Sequence, residues 1–183
     1  MALLTPVITT EQIVAVVNGQ LLFQSDLLRN QTFFEIEMPT TVEKLVEYKL
    51  LLLEAKRFVL SPPQEDEVEE SLNETRRKFP GEAAFLNALK ETGWTVDGLR
   101  RDILERLWVK KLIRDRISFF IFITDEEIGQ YYQQHKNDFG QDVTLPLVKE
   151  PIRAILEKEK EEIKIKEYLL RIKSQANIEI NIR

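Results

Sequence analysis

Apolar residues change their spacing several times along the chain, and each change predicts an element. Ile13–Val17 is a β-branched apolar run, Asn18-Gly19 is a strong two-residue hairpin signal, and Gln20–Phe23 can return as a second strand. Spacing then turns helical. Ser25 predicts an N-cap for a helix through about Ile36, since its hydroxyl can accept a free backbone N–H. Thr40 and Glu43 stand at capping-box spacing ahead of the next helix. There Val42, Leu45, Val46, Leu50, Leu53 and Ala55 form one stripe, and Leu51 and Leu52 widen it to most of the circumference. Such a helix belongs at the centre of a fold.

Ser61, Pro62 and Gln64 predict another helix start, followed by QEDEVEESLNETRRKF with acids first and bases last. That order complements the helix dipole and reads as a solvated face. Pro80-Gly81 breaks the chain, and GEAAFLNALKETG is a short helix ending at Gly93. From Thr95, Val96, Leu99, Ile103, Leu107, Leu112, Ile113 and Ile117 keep three-to-four spacing. Continuous to Phe120, this helix would be roughly 40 Å long. Thr124 and Glu127 form a further capping box. A long helix then starts near Leu145, with Pro151 in its first turns and Val148, Ile152, Ile155, Leu156, Ile163, Tyr168, Leu169 and Ile172 as its apolar positions. NIEINI alternates like a strand. A lone terminal strand needs a partner, so the two chain ends should meet. The expected fold is mainly α, with a small β-sheet made by the N-terminal hairpin and the C-terminal strand.

Composition narrows the chemistry. Of 183 residues, 43% are hydrophobic and 31% charged, a globular balance, and the net charge of −5 disfavours nucleic acid. An acidic surface would favour basic partners. The absence of cysteine removes disulfides, thiolate catalysis and cysteine-bound zinc. It suits an oxidising compartment without requiring one. The longest apolar runs, Leu50–Leu53 and Ile117–Ile123, fall far short of a membrane span. MALLTPVITTEQ lacks the basic start of a signal peptide. His135, the single histidine, sits late in a polar helix and reads as a surface residue. The cluster Glu65, Asp66, Glu67, Glu69 and Glu70 lacks the apolar setting that would tune a general acid–base pair. No nucleotide-binding, metalloprotease or serine-hydrolase motif is present. The expectation is a protein that is not an enzyme, with no cofactor and no metal.

Aromatic residues carry the remaining signal. Phe33 and Phe34 precede Met38; Phe119, Phe120 and Phe122 lie in SFFIFI between two helices; Tyr131 and Tyr132 follow. These eight residues either pack inside the domain or line an apolar groove for extended polypeptides.

Taken together, VAVVNGQLLFQSDL, SPPQEDEVEESL, FLNALKETGWTVDGLRRDILERLWVKKLI and ITDEEIGQYYQQHKNDF resemble the helical module of SurA-type periplasmic chaperones and related parvulin-type prolyl isomerases over residues 12–139. LPLVKEPIRAILEKEKEEIKIKEYLLRIKSQANIEI, within residues 145–183, looks like that family's closing segment. Gly140–Thr144 occupies the place where the family's parvulin domain commonly lies, and a domain needs on the order of 100 residues. The resemblance therefore implies a single chaperone domain over residues 1–183 with the isomerase domain absent, and no ground for isomerase activity. It implies an ATP-independent chaperone for unfolded polypeptides in export or outer-membrane protein biogenesis, periplasmic or exported. A similarity to the substrate cradle of trigger factor leaves the cytosol open. The competing reading is a structural or assembly protein whose apolar surface is a fixed interface, for instance a homodimer formed by segment exchange.

Overall fold

A computed structural model describes residues 11–34, 41–58, 61–140 and 143–181. Strand β1 (Ile13–Val17) pairs antiparallel with β2 (Gln20–Phe23), and β3 (Ile178–Ile180) pairs antiparallel with the other edge of β1, giving the order β2-β1-β3. The hairpin turns through Asn18 (φ 50°) and Gly19 (φ 80°), both left-handed, the geometry that keeps the strand twist through a two-residue loop. Asn18 also ties the chain ends together. Its N–H donates to the Asn177 carbonyl and its Oδ1 accepts from the Asn177 N–H, each at 2.8 Å. The ends meet as the sequence predicts.

Eight α-helices follow the hairpin among the described residues: α1 (Gln24–Phe33), α2 (Val42–Phe58), α3 (Glu65–Arg77), α4 (Glu82–Glu91), α5 (Val96–Arg116), α6 (Asp125–Gln134), α7 (Lys136–Phe139) and α8 (Leu145–Lys173). The local start signals hold at Thr95, whose Oγ1 accepts from the Gly98 N–H at 3.0 Å, and at Thr124, whose Oγ1 accepts from the Glu127 N–H at 3.2 Å. They shift elsewhere. At α1 the Asp26 carboxylate accepts from the Phe23 N–H (2.9 Å), while the Ser25 hydroxyl turns to Glu11, so Ser25 is inside the helix rather than its cap. At α3 the Glu67 carboxylate accepts from the Gln64 N–H (2.7 Å), so the helix starts after Gln64 and not at Ser61. In both places a carboxylate on the third helical residue supplies the stronger acceptor. At α2, Thr41 Oγ1 accepts from the Lys44 N–H (3.4 Å); Thr40 lies outside the described residues, as does Ile36. Finally, α5 stops at Arg116, and Ser118–Phe120 forms a 3-10 turn, so the helix is shorter than the apolar spacing implies.

Side chains gather in three cores. The first joins the sheet, α2, the later part of α5 (Val109, Leu112) and the end of α8. Helix α2 is central there, burying Leu45, Val46, Tyr48, Leu50, Leu51, Leu52 and Ala55. The second joins Phe33 and Phe34, α3, α4 and the start of α5 (Leu99, Ile103). The third joins α6, the start of α8 and the segment after the 3-10 turn. Helix α5 thus links the first two cores, and α8 links the first and third.

Helix α8 makes its link by using two faces. Near its start Leu145, Val148, Ile152 and Leu156 face α6; near its end Ile165, Tyr168, Leu169 and Ile172 face α2 and the sheet. At about 100° per residue these faces point roughly 150° apart. Ile163 and Leu170 continue the first face beyond the reach of α6 and are exposed, 54% and 70%. The end of α8 is pinned to α2 by Lys173–Glu47 (2.8 Å) and by the Tyr168 hydroxyl, which donates to Glu54 (3.0 Å).

Candidate functional site

A corner between α5 and α6 carries the most exposed aromatic side chains. Ile117 turns inward (5% exposed) as the last apolar residue of α5's stripe, and Ser118 Oγ reaches back to the Ile113 carbonyl (3.4 Å) and to Glu161 of α8. The 3-10 turn then points Phe119 and Phe120 outward, 72% and 65% exposed, stacked edge to face with centroids 5.4 Å apart. After it the backbone is extended, so successive side chains alternate. Ile121 and Ile123 join the third core while Phe122 between them is 74% exposed.

Cations of α8 hold this corner by its carbonyls. Lys160 Nζ donates to the Phe122 carbonyl (2.9 Å) and Arg153 Nη1 to the Ile123 carbonyl (2.9 Å). Lys160 also pairs with Glu127 (2.6 Å). That ammonium, together with the N–H of Thr124, draws the Glu127 carboxyl down to about 2. The backbone under the three phenylalanines is therefore fixed while their rings stay in solvent.

The other aromatic candidates are elsewhere. Phe33 (2% exposed) and Phe34 are buried in the second core, where Phe33 stacks on Trp94 (5.5 Å) and meets Phe79 (5.6 Å) and Phe85 (6.4 Å). Arg106 lies flat over Phe34, 3.4 Å from its centroid. Tyr132 is buried, its hydroxyl donating to the Val143 carbonyl (2.6 Å), and Tyr131 is half-buried against His135, with centroids 4.0 Å apart. Met38 lies outside the described residues. Phe119, Phe120 and Phe122 are thus the exposed members of the set, while Phe33, Phe34 and Tyr132 are buried and Tyr131 is half-buried.

Several surface and interior groups escape the sequence reading. Phe58, 37% exposed at the end of α2, lies under two guanidinium groups, Arg57 (4.9 Å) and Arg116 (5.2 Å). Leu147 and Leu170, outside the apolar positions that the spacing assigns to α8, are exposed leucines, and Ile155 and Ile163, which it does assign, are exposed too. In the interior, Asp102 pairs with Arg106 (2.6 Å), and Arg106 also reaches Asn30. Burial pushes the Asp102 carboxyl up, with Arg106 opposing it. Burial likewise raises the Tyr48 hydroxyl, which has no hydrogen-bond partner among the described residues and borders a cavity of about 100 Å³ with Asp102, Asn30 and Trp94. Nothing in the spacing of α5 distinguishes Asp102 from its solvated neighbours.

No group of three or more His, Asp or Glu side chains among the described residues is placed to hold a metal ion, and no helix there is long and apolar enough to cross a membrane.

No family model matches the chain. Part of it is similar to proteins named foldase protein PrsA. A stretch of 104 residues is 24% identical to the protein from Clostridium botulinum strain Hall, covering 55% of this chain and 31% of that one. A stretch of 103 residues is 29% identical to the protein from Clostridium perfringens strain 13, covering 55% of this chain and 29% of that one. The match therefore spans about half of this chain and under a third of the relatives' length.

Proposed function

We propose that this protein is an ATP-independent chaperone that holds unfolded or extended polypeptide, with the Phe119–Phe120–Phe122 corner as its contact surface. The carrying observation is that these three rings are each at least 65% exposed, Phe119 and Phe120 on a 3-10 turn and Phe122 on a segment whose Phe122 and Ile123 carbonyls are held by Lys160 and Arg153. Burying exposed apolar area is worth about 25 cal/mol per Å², and an aromatic ring offers on the order of 150–250 Å². Counting about 2 kcal/mol per fully buried phenylalanine and only the part still exposed, the three rings supply about 4 kcal/mol, so the client's own apolar side chains must be buried with them to reach the about −8 kcal/mol of micromolar affinity. The partial similarity to proteins named foldase agrees with this role, and an exported or periplasmic place of action belongs to the same proposal. Residues 1–183 act on this reading as one SurA-like domain, closed by α8 and β3, with Gly140–Thr144 standing where related proteins carry an isomerase domain.

The test is suppression of aggregation of several unrelated unfolded proteins by the wild type and by a Phe119/Phe120/Phe122→Ala variant. Protection that falls severalfold in the variant supports the reading; equal protection by both rejects this surface.

A second reading has its own observation. Ile163 and Leu170 leave an uncovered apolar line on α8, beside a cavity of about 510 Å³ lined in part by Ile165, Leu169 and Leu170. A fixed homodimer would cover that line. Light scattering across a hundredfold dilution separates the readings: a constant dimer mass that changes on Leu170→Glu favours assembly.

A further inference from the structure

We infer that the phenylalanine corner selects polypeptide segments in which apolar side chains stand beside aspartate or glutamate, with Arg57, Arg116 and Arg171 as the carboxylate-binding groups. This rests on the chaperone reading and adds a charge preference to it, opposite to the one that the overall charge of −5 suggests.

Aromatic rings hold these guanidinium groups in place. Arg57 and Arg116 both lie over the Phe58 ring, at 4.9 and 5.2 Å, and Arg171 lies over Tyr168 at 4.6 Å. Stacking uses the face of a guanidinium and leaves its N–H edge free for a carboxylate. All three are exposed, and among the described residues none lies within ion-pairing distance of a carboxylate. This contrasts with the other cations around the corner: Arg114 is taken by Asp115 (2.7 Å), Lys160 by Glu127 (2.6 Å) and Lys56 by Glu105 (2.6 Å).

Their position ties them to the exposed rings. Arg116 ends α5 and is followed, after Ile117, by the turn bearing Phe119 and Phe120. Through the Phe58 stack the corner extends to the end of α2. Tyr168, under Arg171, donates to Glu54 (3.0 Å), which lies one helical turn before Phe58 on α2, so the Arg171–Tyr168 stack stands on the same side of α2 as the Phe58 stack. The acids near them have other partners: Glu54 accepts from Tyr168 (3.0 Å), Asp115 pairs with Arg114 (2.7 Å) and Glu167 with Lys164 (2.8 Å). The exposed Phe119–Phe120 pair thus follows Arg116 by three and four residues, and Arg116 shares the Phe58 ring with Arg57, while Arg171 is held on Tyr168; none of the three guanidinium groups is in an ion pair among the described residues. An extended segment would lay its apolar side chains on Phe119 and Phe120 and bring flanking carboxylates to the guanidinium edges, where bidentate pairing is available.

The test is fluorescence anisotropy with three short unstructured peptides sharing the same apolar residues, flanked by acidic, neutral polar or basic residues. Wild type is compared with Arg57→Gln/Arg116→Gln/Arg171→Gln and with Phe119→Ala/Phe120→Ala, each checked by circular dichroism for a retained fold at the assay temperature. The acidic peptide is expected to bind about tenfold more tightly than the basic one at low ionic strength, with the ratio shrinking as salt screens exposed charges. The ratio should fall toward one in the glutamine variant, while in the alanine variant all three peptides should weaken together. Equal affinity of wild type for the three peptides, or a ratio that survives the glutamine changes, overturns the charge preference and leaves the chaperone reading standing. No binding of any peptide removes that reading and this inference with it. Capture of phosphatidylglycerol vesicles without peptide binding assigns the three arginines to a lipid surface, and arginine-dependent self-association assigns them to a second copy; either overturns the proposal.

Discussion

Alanine substitution should split the phenylalanines into two groups whose stability costs barely overlap. Phe33 is 2% exposed and touches Trp94, Phe79 and Phe85, with centroids 5.5, 5.6 and 6.4 Å away. Phe33→Ala removes its transfer energy and leaves a cavity between rigid rings that cannot collapse, so the cost should be about 3–5 kcal/mol. Phe122 keeps 74% of its surface in water, so only about a quarter of the roughly 2 kcal/mol of full phenylalanine burial is at stake. Phe119→Ala, Phe120→Ala and Phe122→Ala should each cost about 0.5 kcal/mol, and the Phe119–Phe120 pair about 0.5 more for its edge-to-face contact. Urea unfolding followed by circular dichroism measures this directly. On a chain of this size 1 kcal/mol moves the melting temperature by about 2–4 °C, so Phe33→Ala should lower it by roughly 10 °C and each corner variant by about 1–2 °C. A Phe122→Ala cost above about 1.5 kcal/mol would mean that the ring is packed and the corner is not a free surface. A Phe33→Ala cost below about 1 kcal/mol would undo the account of the second core.

Three further outcomes follow from the same geometry. The Glu127 carboxyl, drawn down to about 2 by Lys160 and Thr124, is depressed below its unfolded value of 4.5. Its contribution to stability is therefore present above pH 4.5 and lost as pH falls from there through about 2. NMR titration should show this, with the value rising in Lys160→Gln; an ordinary carboxyl titration in the wild type would contradict it. Gly19→Ala forces a side chain to φ 80° and should cost about 1–2 kcal/mol, read by urea unfolding; a neutral result would mean that the turn relaxes. Tyr48→Phe removes a buried hydroxyl that has no partner among the described residues and should be neutral or stabilising by up to about 1 kcal/mol, so a clear loss of melting temperature would show that the hydroxyl is bonded.

What could be read from the sequence was mostly local. The Asn18-Gly19 turn, the Thr95 and Thr124 caps and the buried α2 each depend on residues within a few positions of one another. Ser25 and Ser61 misled because a serine start signal competes with a carboxylate three residues into the helix, and the carboxylate won at Asp26 and Glu67. Helix α8 shows a deeper limit. Its apolar residues look like one list, yet Ile152 and Ile172 serve different cores on nearly opposite faces, and Ile163 serves neither. Which residues are covered depends on where α6 ends and α2 begins, a tertiary fact that periodicity does not contain. The candidate site divided for the same reason. Phe33 and Phe119 are the same residue type at helix ends, and neighbours distant in sequence bury one while leaving the other bare. Asp102 and the stacked arginines went unread because the partners that define them come from other elements.

The central claim is that the rings at the α5–α6 corner bind foreign polypeptide. Solution NMR of the wild type with an unfolded client tests it most directly, by following the ring resonances of Phe119, Phe120 and Phe122 during titration. The account predicts saturable shifts concentrated on these three residues while Phe33 and Phe85 stay still. Shifts confined to α8 around Ile163 and Leu170, or none at all, would contradict it.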